Sequence, residues 1–206
     1  MTGDGDTVVG GEGSESGYGD IIDYSSYSST LTVNLSTNTA PDTISQIESV
    51  IGASSEINNL TGNADDNKLV GGSEDDVFYT LDGDDDDLFD GGSGGTDTVS
   101  FANDSAVTVN IGSDGDTYTS IEKIVGTSAG DVITNDGTGR EIDGGAGNDK
   151  LNGGAAGDTL IGGNGDDTLD GNGGADSLQG GAGNDTFIMT GDGDTVVGGE
   201  GSESGY

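Results

Sequence analysis

The chain has 206 residues, with 40 acidic side chains against 4 basic ones, a formal net charge of −36, 43 glycines, 29% hydrophobic residues and no cysteine. That charge excludes nucleic acid and anionic membrane surfaces as electrostatic partners, and the missing cysteine excludes disulfides and thiolate–metal sites. The apolar content is too sparse for a thick core, and apolar runs no longer than a triple give no membrane-inserting segment and no signal peptide.

Residues 1–18, MTGDGDTVVGGEGSESGY, recur letter for letter as residues 189–206, an offset of 188. The expectation is one complete 188-residue repeat plus eighteen residues of the next, a segment of a longer tandem array in which 1–18 end a preceding copy. The alternative is a chain that closes end to end on its own copy. A weaker repeat lies inside: DTISQIESVIG at 42–52 and DTYTSIEKIVG at 116–126 are 74 residues apart. Each follows an alternating segment, LTVNL at 31–35 or VTVNI at 107–111, and an acidic–aromatic one, DIIDY at 20–24 or DTVSF at 97–101. Alternation predicts strands, and these longer segments read as wide turns of one coil. Loops are expected at 25–30 and at 36–42, which holds the sole proline, Pro41. The first half-repeat then covers 19–94 and the second 95–143.

Between those strands the chain falls into frames of nine. Frames 53–61, 62–70 and 71–79 keep Leu60, Leu69 and Phe78 at the eighth place, and only the third has aspartate, Asp76, at the sixth. Two extra residues, Thr80 and Leu81, precede DGDDDDLFD, with Asp87 and Phe89 in register, and GGSGGTDTV carries one more insertion. Frame 126–134 has Asp131 and Ile133 in place. In 135–143 Arg140 stands where aspartate belongs, where it either pairs with neighbouring carboxylates in place of a metal ion or faces solvent.

Residues 144–206 are seven consecutive frames without insertion or deletion, and those starting at Gly144, Gly162 and Gly180 match GGxGxDxUx, with U a large apolar residue, at every defined place. The sixth place carries Asp149, Asp158, Asp167, Asp176, Asp185 and Asp194, and the eighth Leu151, Leu160, Leu169, Leu178, Phe187 and Val196. Glycines at places one, two and four are expected to supply positive φ and close backbone approach, making a six-residue turn. The last three residues form a short strand whose eighth-place side chain alone points inward. Two frames make one turn of a flattened coil, which stacks Asp149, Asp167 and Asp185 on one edge and Asp158, Asp176 and Asp194 on the other. Rows of carboxylates at strand spacing repel unless a cation lies between them, and a set of hard oxygens suits calcium.

These residues resemble the hemolysin-type calcium-binding nonapeptide repeats of the repeats-in-toxin family. The resemblance implies an all-β fold, a right-handed parallel β-roll or solenoid, here with wider non-nonapeptide turns, holding several Ca2+ ions. It also implies that each ion lies between loops eighteen residues apart and takes carbonyls from places two and four of one loop, from places one and three of the next, and both sixth-place carboxylates. Carried over, one site uses Gly145, Gly147 and Asp149 with Gly162, Asn164 and Asp167. The next uses Gly163, Gly165 and Asp167 with Gly180, Ala182 and Asp185. On the other edge Gly154, Ala156 and Asp158 face Gly171, Gly173 and Asp176. Gly144, Ala146, Asn172, Gly174, Gly181, Gly183 and Asp194 complete the candidate set in this block, with Asp131, Asp76 and Asp87 outside it. Ala156 lacks the fourth-place glycine, Asn172 the second, and Glu203 replaces aspartate in the last frame.

The leading functional expectation is a calcium-stiffened extender of a large secreted or surface-attached bacterial protein, exported by type I secretion, whose partners are calcium and adjacent copies of itself. The second is the calcium-binding flank of a secreted enzyme or toxin. Catalysis is not expected: GTSAG at 126–130 fits the hydrolase elbow, but the chain has no histidine to serve Ser128 as base.

Overall fold

A computed structural model describes residues 7–9, 19–41, 43–81, 86–190 and 193–199. Most of the two eighteen-residue copies, residues 82–85 and Glu203 lie outside the described residues. Among the described residues there is no helix, and the chain forms short strands throughout. They are β1 (Thr7–Val9), β2 (Ile21–Asp23), β3 (Leu31–Asn34), β4 (Thr43–Ser45), β5 (Ser49–Ile51), β6 (Asn58–Thr61) and β7 (Lys68–Gly72). Next come β8 (Val77–Tyr79), β9 (Leu88–Gly92), β10 (Thr98–Ser100), β11 (Thr108–Asn110), β12 (Thr117–Thr119), β13 (Lys123–Val125) and β14 (Val132–Thr134). The remainder are β15 (Glu141–Ala146), β16 (Lys150–Asn152), β17 (Thr159–Asn164), β18 (Thr168–Asp170), β19 (Ser177–Ala182), β20 (Thr186–Ile188) and β21 (Thr195–Val197). The strand pairings are parallel, so the fold is the expected β-solenoid.

The chain divides into two compact units, residues 1–100 with 115–121, and residues 101–114 with 122–206. In the second unit one sheet runs β13-β15-β17-β19-β21 and the other β11-β14-β16-β18-β20. From β15 to β21 each strand stacks on the one eighteen residues earlier: Ile142 on Ile124, Leu160 on Ile142, Leu178 on Leu160, and likewise Leu169 on Leu151. Two nonapeptides therefore make one turn, as the sequence predicts. In the first unit the sheets are β3-β6-β8-β10 and β2-β5-β7-β9-β12, and β1 pairs with β4. Its turns are wider and uneven, with Leu31 opposite Asn58, Ser49 opposite Lys68 and Leu88 opposite Thr117.

The core of each unit lies between its two sheets. Because side chains alternate along a strand, the middle residue of each three-residue strand points in, and Ile124, Ile133, Ile142, Leu151, Leu160, Leu169 and Leu178 are fully buried. Leu60, Leu69, Phe78, Phe89 and Val99 do the same in the first unit, where Phe89 stacks between Phe78 and Tyr118 at centroid distances of 6.0 and 5.6 Å. The column weakens at Phe187, which is half-buried, and at Val196, which is 39% exposed. Burying one such leucine stabilises by about 1.5–3 kcal/mol, a small return for ordering nine residues.

Two expectations change. Positive φ occurs at places two and four, as in Gly145 (97°), Gly147 (114°), Gly163 (105°) and Gly165 (138°), but not at place one. Asn172 takes the second-place conformation with φ 61°, which asparagine tolerates better than other side chains. The turn read as 53–61 also takes in Gly52 as its first-place glycine and so carries one extra residue before Asn58, its sixth-place equivalent. Gly52 donates its N–H to the Val70 carbonyl at 2.7 Å, as the first-place glycines Gly153 and Gly62 do to Asp170 and Tyr79.

Candidate metal centre

A further change concerns the sixth place. Its side chain also points inward: Asp131, Asp149, Asp158, Asp167 and Asp176 are buried beside the eighth-place column. The reason is a ladder of hydrogen bonds that runs from turn to turn. The backbone N–H of Asp131 donates to Asp149 Oδ1 at 2.7 Å, Asp149 to Asp167 Oδ1 at 2.8 Å, and Asp167 to Asp185 Oδ1 at 3.1 Å. On the other edge Arg140, Asp158 and Asp176 donate to Oδ1 of Asp158, Asp176 and Asp194 at 2.8, 2.8 and 3.1 Å. The sixth-place carbonyl of the lower turn accepts in return, as Asp149 O does from Thr168 N at 2.8 Å. One carboxylate oxygen per aspartate is thus consumed by the fold itself.

The other oxygen is not. Oδ2 of Asp149, Asp158, Asp167 and Asp176 is buried with no hydrogen-bond partner. Each lies against the first-place glycine of its own frame, so a Cβ on Gly144, Gly153, Gly162 or Gly171 would run into it. The same spot on Gly144, Gly153 and Gly162 faces the carbonyls of Gly162, Gly171 and Gly180, one turn on. Place one is glycine to leave this room, not to reach positive φ. An anionic oxygen without a donor, next to backbone carbonyls and shielded from water, is costly by itself and suits a hard divalent cation. Calcium fits this donor set. Among the described residues no three carboxylates gather at one point, so an ion here would need backbone oxygens as well.

Burial pushes the Asp149 and Asp158 carboxyls up to about 6, with the neighbouring charges of Asp131 and Asp167 adding at Asp149 and that of Asp176 at Asp158. Asp167 and Asp176 are raised by burial as well. A carboxyl whose pKa is higher folded than unfolded adds stability at low pH, and that stability is lost as pH rises through the folded value. The metal-free chain should therefore hold more strand structure at pH 4.5 than at pH 8, and saturating calcium should remove the difference. Far-ultraviolet dichroism of dialysed protein checks this, and a metal-free spectrum unchanged between the two would refute it.

The other predicted ligand positions differ. Asp131 Oδ2 accepts the Thr127 N–H at 2.7 Å and Asp76 Oδ2 the Gly72 N–H at 2.6 Å, so in both the second oxygen is engaged. Asp87 Oδ1 accepts from Asn67 N at 2.7 Å, and Asp185 and Asp194 are half-exposed. The third-place carbonyls of Asn164 and Ala182 accept the N–H groups of Gly147 and Gly165 at 2.7 Å, which leaves each a second lone pair. Gly154, Gly174, Gly181 and Gly183 have positive φ, whereas Gly173, Ala146 at the end of β15 and Ala156 in its bend do not. Ser128 is exposed in the bend between β13 and β14.

Sequence reading missed ladder members beyond the frames. Asp97 Oδ1 accepts from Asp76 N at 2.8 Å, Asp116 Oδ1 from Asp87 N at 2.9 Å, and Glu48 Oε2 from Asp20 N at 2.7 Å. Asn58 and Asn67 hold the sixth place in their turns. The signal was an acidic or amide residue two before a buried apolar one, as in Asp97–Val99, Glu48–Val50 and Asn58–Leu60.

The family model for the RTX calcium-binding nonapeptide repeat (4 copies) matches residues 53–86, 141–160 and 152–187. No curated protein matches the chain.

Proposed function

Since this chain is built on RTX calcium-binding nonapeptide repeats, we propose that it is a calcium-stiffened extender of a secreted or surface-attached bacterial protein. The observation that carries the reading is the set of four buried, unpartnered Oδ2 atoms on successive frames. Asp149 with Asp167 and Asp167 with Asp185 would hold ions on one edge, and Asp158 with Asp176 on the other. Calcium is scarce in cytosol and plentiful outside, which favours an extracellular address. No catalytic step is assigned.

Two facts support length as the activity. Residues 1–18 and 189–206 are identical. Within them, one three-residue strand has a different neighbour each time: Thr7–Val9 pairs with Thr43–Ser45, and Thr195–Val197 with Ser177–Gln179. A strand inside a continuous coil needs one partner on each edge. A two-repeat chain in calcium should therefore lengthen by about 45 Å, some ten strand spacings, with an unchanged cross-section. Small-angle scattering decides between that rod and two flexibly linked bodies, and the second result would end the extender reading.

A further inference from the structure

The sixth place takes two chemically opposite forms in this chain. In frames 144–179 it is aspartate with an orphaned oxygen. At Asn58, Asn67 and Arg140 it is a side chain that brings its own N–H donors. We propose that these three turns close without calcium, an amide or guanidinium group supplying the positive partner that an ion supplies beside Asp149, Asp158, Asp167 and Asp176. The inference depends on the calcium reading only for the contrasting turns.

Asn58 is fully buried and saturated. Its Oδ1 accepts the Ala53 N–H at 2.7 Å. Its Nδ2 donates to the carbonyls of Ala53 and Glu56 at 3.0 Å each and to Asp76 Oδ1 at 2.8 Å. Two loop carbonyls and a carboxylate from the next turn are the kind of oxygen set that a cation would need, and here amide hydrogens point at them. Asn67, also fully buried, accepts the Asn63 N–H at 2.6 Å and donates to Asn63 Oδ1 at 3.1 Å. A neutral amide brings no charge to a divalent ion, and in both residues its oxygen already accepts a backbone N–H.

Arg140 reaches the same end with a formal charge. Its side chain is 4% exposed, and Nη1 donates to Asp136 Oδ1 at 2.7 Å and to Asn135 Oδ1 at 2.5 Å. Asn135 Nδ2 in turn donates to the Thr138 carbonyl at 2.6 Å and to Asp158 Oδ1 at 3.1 Å, so the turn beneath Asp158 is tied to it through N–H groups alone. The solvent-facing alternative for Arg140 is thereby excluded. Residues 53–86 match the calcium-binding repeat pattern, yet the donors at Asn58 and Asn67 do not fit an ion.

Hydrogen exchange of the full chain, read by mass spectrometry in calcium and after chelation, tests this. Amides of β6 and β7 should keep their protection in chelator while those of β16 to β19 exchange at least about tenfold faster. Simultaneous loss in both segments would overturn the proposal. Retention in both would uphold it and instead sink the calcium reading of 144–188. Asn58→Asp replaces the amide by a second carboxylate oxygen facing the same carbonyls, so protection of β6 should become calcium-dependent; protection still indifferent to calcium would contradict the assigned role of the amide. Arg140→Asp should add one calcium ion to the stoichiometry measured by calorimetry, and an unchanged count would remove arginine from the proposal. The wild-type comparison stands whether or not either variant folds.

Discussion

Removing calcium should unfold the stack from Gly144 to Ile188 at neutral pH, with loss of its strand signal and a fall in melting temperature on the order of 20 °C or more. The argument is electrostatic. Every aspartate on the two edges has a like charge one turn above or below it, and four of them bury an oxygen without a donor. Basic side chains offset little of this: the Arg140 charge acts on Asp158, at one end of the stack, and Lys150 faces outward in β16, exposed. The apolar column adds one side chain per frame, so no thick core compensates. An ion that binds only the folded form adds about 2.7 kcal/mol at a free concentration a hundredfold above its Kd. Three such ions would add about 8 kcal/mol, comparable to the whole stability of an ordinary domain, about 5–15 kcal/mol. Calcium binding and folding of this stack should therefore be one transition. Thermal melts followed by dichroism in calcium and in chelator check it, and coincident melts would show that the orphaned oxygens are not the chain's metal ligands.

The fold was legible wherever spacing is constant. In 141–197 each strand lies on the one eighteen residues before it, so a column of apolar residues every ninth place fixes both the strand and its neighbour. Spacing fails in the first unit, where ladder partners are 18, 20, 21, 28 and 29 residues apart. Insertions enter at the bends and leave the strands untouched, and a fixed nine-residue frame then loses Asp97 and Asp116. What survives any insertion is the triplet of polar acceptor, outward residue and inward apolar residue, because its three places belong to one strand entry. The stacked column of carboxylates was legible, but not the division of labour between their oxygens. That Oδ1 serves the backbone and Oδ2 is left over follows from where the sixth-place N–H points, which spacing does not reveal. The same geometry explains Asn58 and Asn67. There the side-chain oxygen faces the first-place glycine and accepts the Ala53 or Asn63 N–H of its own turn, and the amide nitrogen replaces the other oxygen.

The adjacent glycines Gly173 and Gly174 should respond to alanine in opposite ways, with a difference of about 2–4 kcal/mol between them. Gly174 sits at the fourth place with φ 118°, and a Cβ there would strike the Ala156 carbonyl and the Gly157 nitrogen of the turn below. Both groups are main chain in a stack held by parallel pairing, so neither can move without disturbing its own neighbours. The backbone conformation alone costs an alanine about 1–3 kcal/mol, before any displacement of Ala156. Gly173 has an ordinary φ, and its added Cβ would meet the Ala155 Cα and carbonyl oxygen at 3.6 Å, an unstrained contact. Its hydrogen bond from N to the Gly154 carbonyl at 2.8 Å is kept by alanine. Gly173→Ala should then be neutral or stabilise by up to about 1 kcal/mol, because the unfolded chain loses freedom. Chemical denaturation of both variants in saturating calcium separates the two. Equal midpoints would mean that the fourth place does not need glycine for its backbone, and that the recurring fourth-place glycine of each turn must be explained by the ion instead.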